Sequence, residues 1–523
     1  MTQQSNEGPA VLQGDRKAAV TQRDEPPGGG KRTPVNQQAR QLELFCKSAD
    51  DSSAPAPEAD GGADLPLSKP APHAVPLLQN KDKRVSPATM EEVTQQLRAS
   101  FQKVASNRGA PGPDGQSIDE VREHLEELLP ELTENLLQGS YRPGAIRRVW
   151  IPKADGSQRG LGIPNVIDRM VQEAVRRVLE PLYEPTFHAS SHGFRPGRSC
   201  QTAIAEAKGY VEEGYEWVVD LDLKQFFDQV PHQRLMSRLT ERVGDPRLLV
   251  LIHRWLKAKV VLPDGVKVGN EQGVPQGGPL SPLLSNIVLD ELDRELARRG
   301  HRFVRYADDS NIYLRSERAG QRVMASVTRF IERRLRLQVN VDKSAVARAE
   351  ERHFVGFRLR REPLDGAVEV LLSKRSKKRI DERIRKLTPR NWGSSLRACI
   401  TQLNGYLRGW MGFFGICTGK EERTFAYLDA HIRRRLRAIQ LKHWKRRVTM
   451  ARRLIKLGVR RRTAWRRLYE GRKSLWALSH DPAVDRGLRN AYFAERGLVS
   501  LRDLWHAQQP AIDAPVQLSL ALG

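Results

Sequence analysis

The sequence predicts an α+β protein that continues into a purely helical region. Between Val149 and about Leu359, strand-like and helix-like segments alternate, as in a domain that packs helices on an antiparallel sheet. From Ser376 to about Leu468, apolar residues recur at helical spacing, and basic and aromatic residues are interleaved with them. These observations divide the chain into a mixed domain followed by a helical one.

The segment before these domains has a different composition. Residues 1 to about 80 are rich in Pro, Gly, Gln, Ala and Asp and show no sustained periodicity, which predicts a disordered tail. Helical spacing begins near Thr89. The Gly- and Pro-rich segment at 107–118 predicts a loop, and a further helical stretch reaches about Gln138.

Charge is distributed unevenly along the chain. Its 523 residues include 88 Lys and Arg against 62 Asp and Glu, a net charge of +26. The segment from Lys374 to Lys473 holds 31 basic and 6 acidic residues, a net of +25, which leaves 57 basic and 56 acidic residues elsewhere. Positive charge at this density repels itself unless phosphates neutralise it, so we expect this segment to contact nucleic acid.

The composition excludes several classes of protein. No run of 18 apolar residues exists to span a bilayer, and the N-terminal sequence lacks the apolar core of a secretory signal. The four cysteines, Cys46, Cys200, Cys399 and Cys417, form no CxxC pair. This spacing excludes a zinc ribbon and a disulfide framework and favours a reducing cytoplasm.

Two segments carry acidic residues in unusual places, and the first is WVVDLDLKQFFDQVPH at 217–232. Apolar residues at positions 219, 221 and 223 alternate with Asp220 and Asp222. This period of two predicts a half-buried strand with carboxylates on its other face. Either acid could serve as a metal ligand by this pattern alone.

The second segment, FVRYADDSNIYL at 303–314, predicts two strands joined by a tight turn that carries Asp308 and Asp309. A single Asp-Asp pair is most simply explained as a turn. A strand-borne Asp facing this pair, however, would make a carboxylate cluster for two hard divalent cations, for which Mg²⁺ is suited and Mn²⁺ is a candidate substitute. Two such ions about 3.5–4 Å apart favour nucleotidyl-transfer chemistry.

The motif YADD at 306–309, after DLKQFFD at 222–228, resembles the palm of reverse transcriptases, and the motif order is similar to that of the bacterial group II intron reverse transcriptases, or maturases. The further motifs are NRGAPGPDG at 107–115, IRRVWIPKADGSQRGLGIP at 146–164, SHGFRPGRS at 191–199, GVPQGGPLSPLLSNIVLDELD at 273–293, LRLQVNVDKS at 335–344, HFVGFRL at 353–359, LNGYLRGWMGFFGI at 403–416 and HIRRRLRAIQLKHWKRR at 431–447. The resemblance covers residues from about 90 to 505.

The resemblance implies a right-hand polymerase, whose fingers and palm combine an antiparallel sheet with helices, followed by an α-helical thumb or maturase domain. The implied boundaries are a disordered tail at 1–85, an N-terminal extension with a template-contacting loop at 86–145, fingers and palm at 146–360, a helical RNA-binding domain at 374–470, a small C-terminal unit at 474–507 and a tail at 508–523.

The resemblance also implies a set of catalytic residues. Asp222, Asp308 and Asp309 match the metal-binding triad of the family, with Asp309 as the supporting acid. The backbone carbonyl of Leu223 is a candidate further ligand. Lys343 matches a lysine late in the palm and is a candidate proton donor to the pyrophosphate.

The nucleotide-binding residues are assigned by the same resemblance. Phe227, five residues after Asp222, falls at the sugar gate, where a bulky ring excludes a ribose 2′-hydroxyl. Gln276 and Gly277 lie in VPQGG, in which glycine lets the backbone approach the nucleotide and Gln reaches its sugar and base. Lys153 and Arg159 flank a turn in the fingers motif and would hold the triphosphate.

In the basic segment, Trp410, Phe413 and Phe414 lie at i, i+3 and i+4, which predicts a buried helical stripe. The arginines at 433–437 and 445–447 are then expected to face outward and bind RNA phosphates with little base readout. The candidate RNA-binding residues are Arg433, Arg434, Arg435, Arg437, Lys445, Arg446 and Arg447.

The implied function is an RNA-directed DNA polymerase that binds its group II intron RNA and assists splicing and mobility. The expected partners are that RNA, an RNA template with a DNA primer, dNTPs and target DNA, with neither a membrane nor a small-molecule cofactor. We expect it in the bacterial cytoplasm, at the nucleoid when it acts on DNA. No paired cysteines follow Cys417, so we expect no DNA endonuclease domain. In this respect the chain resembles the endonuclease-free class C group of the family.

Two alternatives stay open at this level. One is a maturase that only binds RNA and assists splicing. The other is a related polymerase recruited to another role, such as antiviral defence or a diversity-generating system.

Overall fold

The computed structural model describes residues 88–152, 158–389, 391–471 and 473–509. The predicted tail at 1–85 and most of that at 508–523 lie outside these ranges. Within them, no helix has both the length and the apolarity to cross a membrane.

The described strands are β1 Ile146–Pro152, β2 Gln158–Ile163, β3 Trp217–Leu221, β4 Val260–Val261, β5 Lys267–Val268, β6 Arg302–Tyr306, β7 Asp309–Leu314, β8 Ala345–Arg348, β9 Phe357–Arg361 and β10 Val368–Leu372. The helices up to the palm are α1 Met90–Ser106, α2 Ile118–Glu123, α3 Leu125–Leu137, α4 Val166–Tyr183, α5 Cys200–Glu212, α6 Phe226–Gln229, α7 His232–Thr240, α8 Pro246–Leu256, α9 Ser281–Arg298 and α10 Glu317–Phe330. The later helices are α11 Lys374–Leu387, α12 Leu396–Phe414, α13 Glu422–Trp444, α14 Arg447–Lys456, α15 Arg461–Tyr469, α16 Leu475–Leu478, α17 Pro482–Gly487, α18 Asn490–Ala494 and α19 Leu501–His506.

Helix α1 begins where its sequence signal predicts. The Thr89 hydroxyl accepts the amide of Glu92, and the Glu92 carboxylate accepts the amide of Thr89, which completes a capping box. Val93, Leu97 and Phe101 are buried on one face. This face packs along α4 and attaches the N-terminal helices to the mixed domain.

Two four-stranded sheets organise the mixed domain. The first has the order β2-β1-β4-β5, with β1 and β2 antiparallel and β1 and β4 parallel. The second has the order β6-β7-β3-β8, and every neighbouring pair in it is antiparallel. The predicted α+β fold is confirmed.

Strand β3 is buried on both of its faces. Val219 and Leu221 belong to an apolar core shared with the N-terminal helices, whereas Val218 belongs to a second core shared with α5 and the later helices. Successive strand residues point to opposite faces, so one strand supports both cores. The helical region is therefore packed against the back of the second sheet.

The predicted buried stripe in the basic segment is confirmed. Trp410, Phe413 and Phe414 are each at most 9% exposed. Phe414 contacts Phe357 of β9 at 5.1 Å between ring centroids, and Trp410 contacts Phe414 at 4.7 Å. These rings join α12 to the β9–β10 hairpin.

Candidate functional site

Asp308 and Asp309 lie at the tight turn between β6 and β7, as predicted. Tyr306, the last residue of β6, pairs with Asp309, the first residue of β7. Ala307 between them has φ +58°, in the left-handed region that only glycine adopts without cost. A non-glycine residue persists in this conformation only when its surroundings hold it there.

Arg305 supplies that support. Its guanidinium is completely buried and donates to the Ala307 carbonyl at 2.8 Å. It also donates to both carboxylate oxygens of Asp293 on α9, at 2.8 and 2.5 Å, and to Ser191 Oγ at 2.6 Å. The turn that carries Asp308 is thus tied to a helix and to the 191–199 loop.

Analysis of the sequence missed Arg305 and Asp293. A usable signal was present, because Arg305 follows the two apolar residues Phe303 and Val304 in a strand, and a buried arginine there must find a partner. The 191–199 loop, which Arg305 contacts through Ser191, also packs against the turn at Ala307. A Cβ added at Gly193 would lie 2.2 Å from the Ala307 amide nitrogen, so only glycine fits there.

Asp222 follows β3 directly and is held through its backbone. Its amide donates to Ser344 Oγ at 3.0 Å, and its carbonyl accepts the amide of Asn340 at 2.8 Å. Leu223 pairs with Val339 in an isolated bridge. The segment that carries Lys343 is therefore fastened alongside Asp222.

The charges of the three acids act on one another. Burial raises the pKa of Asp222 to about 6, with the charges of Asp308 and Asp220 adding to the rise and Lys343 opposing it. Burial raises the pKa of Asp309 well above its usual range, and the neighbouring Asp308 charge raises it further. Burial also raises the pKa of Asp308, against the opposing charge of Arg159.

These donors fit a hard divalent cation, because they are carboxylate oxygens that disfavour one another's charge without a cation between them. As placed, however, the acids do not converge: across the described ranges, no group of three or more His, Cys, Asp or Glu side chains is arranged to hold a metal ion. The fit rests on donor chemistry and charge.

Asp220, the alternative acid in β3, is engaged elsewhere. One of its carboxylate oxygens accepts hydrogen bonds from Arg352 Nε at 2.9 Å and from a terminal nitrogen of the same guanidinium at 2.7 Å. The Arg352 side chain also donates to the Lys343 carbonyl at 2.9 Å. Asp220 therefore positions the segment beside Asp222.

The candidate nucleotide residues Arg159 and Gln276 are brought into contact. Arg159 Nε donates to Gln276 Oε1 at 2.7 Å. The Gln276 carbonyl accepts the amide of Gly162 at 2.7 Å, and Gly277 has φ +124° with no room for a Cβ against the Gly162 carbonyl. Lys153 lies outside the described residues.

Phe227 lies on the short helix α6 and is 9% exposed. Its ring meets Phe226 edge-on at 5.2 Å, and its backbone carbonyl accepts the amide of Val274 at 2.6 Å. A Cβ on Gly273 would lie 2.8 Å from that same carbonyl oxygen. The loop with Gln276 is thus anchored to the helix with Phe227.

The expectation that all the candidate RNA-binding arginines face outward is wrong for Arg435 and Arg437. Arg435 is 9% exposed and donates to Thr388 Oγ1 at 2.5 Å and to the Thr388 carbonyl at 2.6 Å. Arg437 is 8% exposed, donates to the Leu488 carbonyl at 3.0 Å and pairs with Asp485. Both guanidiniums are used to join helices because backbone carbonyls there need donors.

The remaining basic candidates are more accessible. Lys445 and Arg446 are exposed, and Arg433 and Arg434 are half-buried. Arg447 is half-buried and donates to the Leu468 carbonyl at 2.7 Å. The RNA-binding role of all seven residues stays a prediction.

Comparison with known proteins places this geometry in a family. Residues 151–359 match the model for reverse transcriptase (RNA-dependent DNA polymerase), and residues 377–458 match the group II intron, maturase-specific domain. The protein YkfC of Escherichia coli K12 is 33% identical over 336 residues, 56% of this chain and 86% of YkfC. The group II intron-encoded protein LtrA of Lactococcus lactis subsp. cremoris is 28% identical over 426 residues, 63% of this chain and 70% of LtrA.

Among solved structures, a Cas6-RT-Cas1--Cas2 complex matches with a TM-score of 0.32 and 24% identity, over 47% of this chain and 27% of that one.

By fold and sequence, the class is that of RNA-directed DNA polymerases. More narrowly, the chain belongs to the group II intron-encoded reverse transcriptases, or maturases, which also serve intron splicing and mobility. The reverse transcriptase family uses divalent metal ions. The matches favour neither a maturase that only binds RNA nor a related polymerase recruited to another role.

Proposed function

We propose that Asp222, Asp308 and Asp309 hold two Mg²⁺ ions, with the Leu223 carbonyl as a further ligand and Mn²⁺ as a substitute. The mutual rise in the pKa values of the acids supports this, since each would be stabilised by a cation. When bound, such ions activate the primer 3′-hydroxyl and neutralise charge on the leaving pyrophosphate.

The protein's own side chains then bind and orient the nucleotide. Arg159 binds the triphosphate, and Lys153 is proposed for the same task by resemblance alone. Gln276 and Gly277 form the surface against the sugar and base, and Phe227 excludes a 2′-hydroxyl. Lys343 protonates the pyrophosphate as it leaves.

The observation that carries this assignment is the position of Arg159. It donates to Gln276, and its charge opposes the rise in the pKa of Asp308. A phosphate-binding cation, a nucleotide-contacting amide and a metal-binding carboxylate therefore adjoin. This arrangement suits the transfer of a nucleotide from a triphosphate.

Primer extension tests the proposal. The wild-type protein should extend a DNA primer on an RNA template with dNTPs and either Mg²⁺ or Mn²⁺, and it should discriminate strongly against rNTPs. Extension that favours rNTPs, or that proceeds without a divalent ion, would contradict the assigned site.

The basic segment supports a second part of the proposal, namely that the chain binds its own group II intron RNA through the domain at 374–470. The net charge of +25 between Lys374 and Lys473 supports this, as does the match to the maturase-specific domain. Its DNA partner is the target site of the intron, and its setting is the bacterial cytoplasm and nucleoid. The test is whether the protein promotes splicing of the intron RNA encoded around its gene.

A further inference from the structure

Helix α11 carries two cationic flanks, separated by a buried stripe. The stripe consists of Ser376, Ile380, Ile384 and Leu387. Successive helix residues are about 100° apart, so the residues just before the stripe lie on one side and those just after it on the other. The first flank is formed by Arg375, Arg379 and Arg383, and the second by Lys377, Asp381 and Arg385.

The first flank faces the palm. Ser376, next to Arg375, donates to the Gly356 carbonyl of the palm at 2.7 Å, and the charge of Arg375 opposes the rise in the pKa of Asp309. Arg383 lies over the Tyr406 ring at 5.7 Å. A primer–template duplex that reaches the acids would pass along this side.

The second flank borders an open groove between α11 and α13, with a volume of about 400 Å³. Its lining residues are Lys377, Asp381, Arg385, Arg423, Thr424, Tyr427 and Leu428. Tyr427 is 69% exposed, and Arg423, one turn earlier on α13, is also exposed. An exposed aromatic ring beside cations is the composition of a single-strand binding surface.

Two carboxylates fix the groove wall. Glu421 pairs with Lys377 at 2.8 Å, and Asp381 pairs with Arg385 at 2.7 Å. These pairs hold the cations in place while Arg423 extends into solvent. Lys377, Arg385 and Arg423 outnumber the two carboxylates, so the groove keeps an excess of one positive charge.

The surface continues along α13 toward the C-terminal unit. Arg434, two turns beyond Tyr427, lies over the Trp476 ring at 4.0 Å. Residues seven apart lie on nearly the same face of a helix, so Tyr427 and Arg434 share one face of α13. Arg423, Tyr427, Arg434 and Trp476 thus form one aromatic-basic stripe.

We propose that this aromatic-basic stripe binds an unpaired segment of RNA, with a base stacked on Tyr427 and phosphates on Arg423 and Arg434. Stacking requires an unpaired base, which double-stranded nucleic acid does not offer. The stripe lies on α13 and α16 and borders the groove on the side of the second flank of α11, away from the first flank, so its ligand is distinct from the primer–template duplex. This inference rests on the proposed RNA-binding function and assigns that function a surface.

Binding of a fluorescent oligouridylate of about 12 nucleotides tests the proposal on the full chain. Tyr427→Ala should weaken binding roughly 5- to 150-fold, the loss expected for one stacked base, whereas Tyr427→Phe should stay within about 2-fold of wild type. Arg423→Ala should lower the slope of log K against log salt by about 0.7, the value for one phosphate contact on a single strand. Arg322→Ala, an exposed arginine on α10, is the matched control and should leave the slope unchanged.

Thermal unfolding verifies that the variants are folded, because substitution of an exposed tyrosine should shift the midpoint by less than about 2 °C. If wild type binds the probe and both Tyr427→Ala and Arg423→Ala bind equally well, the stripe is not the site. A single-stranded DNA of the same length is the second probe. If the two alanine variants lose affinity for this DNA and not for the oligouridylate, the assignment of RNA as the ligand is wrong. If wild type itself binds no RNA, the proposed function fails instead.

Discussion

Arg305 and Asp293 form an ion pair of 2.5 Å in which both side chains are completely buried. The pair joins β6 to α9, and the same guanidinium donates to the carbonyl of Ala307 at the turn that carries Asp308. Removal of one partner leaves a buried charge without its counterion, which is far more costly than loss of an exposed pair.

Arg305→Met should therefore lower the free energy of unfolding by about 3–5 kcal/mol. Addition of Asp293→Asn should restore part of that loss, because the uncompensated charge is removed. Urea unfolding measures both effects. The matched control is Arg98→Met, which breaks an exposed pair with Glu126 and should cost less than about 1 kcal/mol. Equal losses in the two methionine variants would contradict the role of the buried pair.

Asp308→Asn should abolish DNA synthesis on an RNA template while RNA binding persists, because a neutral amide is a poor ligand for Mg²⁺. Primer extension and filter binding on the same preparation measure the two activities. Asp264→Asn, which changes an exposed turn residue, should leave both unchanged. Full extension by Asp308→Asn would show that the metal site is misassigned.

Phe227→Ala should admit ribonucleotides while it keeps much of the deoxynucleotide activity, since the ring that blocks the 2′-hydroxyl is gone. The neighbouring Phe226 offers a control, because it is 2% exposed in the core. Phe226→Ala should lose about 3–5 kcal/mol of stability without a change in sugar selectivity. The ratio of dNTP to rNTP incorporation decides between the two rings.

Gly277→Ala should raise the KM for dNTPs, because a Cβ there would lie 2.2 Å from the Gly162 carbonyl oxygen and push the Gln276 loop off β2. Gly209→Ala is the matched change in open space on α5. It should stabilise the protein by about 0.5–1 kcal/mol and leave the KM unaltered. An unchanged KM in Gly277→Ala would remove this loop from the nucleotide site.

The exposed and buried cations of the basic segment should behave differently. Lys445→Gln with Arg446→Gln should weaken RNA binding and lower the salt slope by up to about 0.9 per lost phosphate contact, with no loss of stability. Arg435→Gln should instead lower stability by about 1–3 kcal/mol, because buried carbonyl and hydroxyl partners at Thr388 lose their donor. Salt titrations and urea unfolding separate the two effects, and an unchanged slope in the double variant would exclude this surface.

Local pattern alone was enough for much of the architecture. The alternation around Asp222 predicted a strand, the Asp-Asp turn predicted the β6–β7 hairpin, and the spacing of Trp410, Phe413 and Phe414 predicted a buried helical stripe. Each of these predictions depends only on the spacing of apolar and polar residues within one short segment of the sequence. The motifs also pointed to Arg159 and Gln276, which the fold brings into contact.

Only the tertiary structure decided which charges are buried. Arg305 meets Asp293 across a strand and a helix, and Arg435 and Arg437 meet carbonyls of distant segments at Thr388 and Leu488. The period of a helix tells which residues share a face, but not what packs against that face. The sequence alone therefore does not distinguish an arginine that contacts RNA from one that joins buried segments of the protein. The reason is that the partners of a buried arginine belong to chain segments far away in sequence.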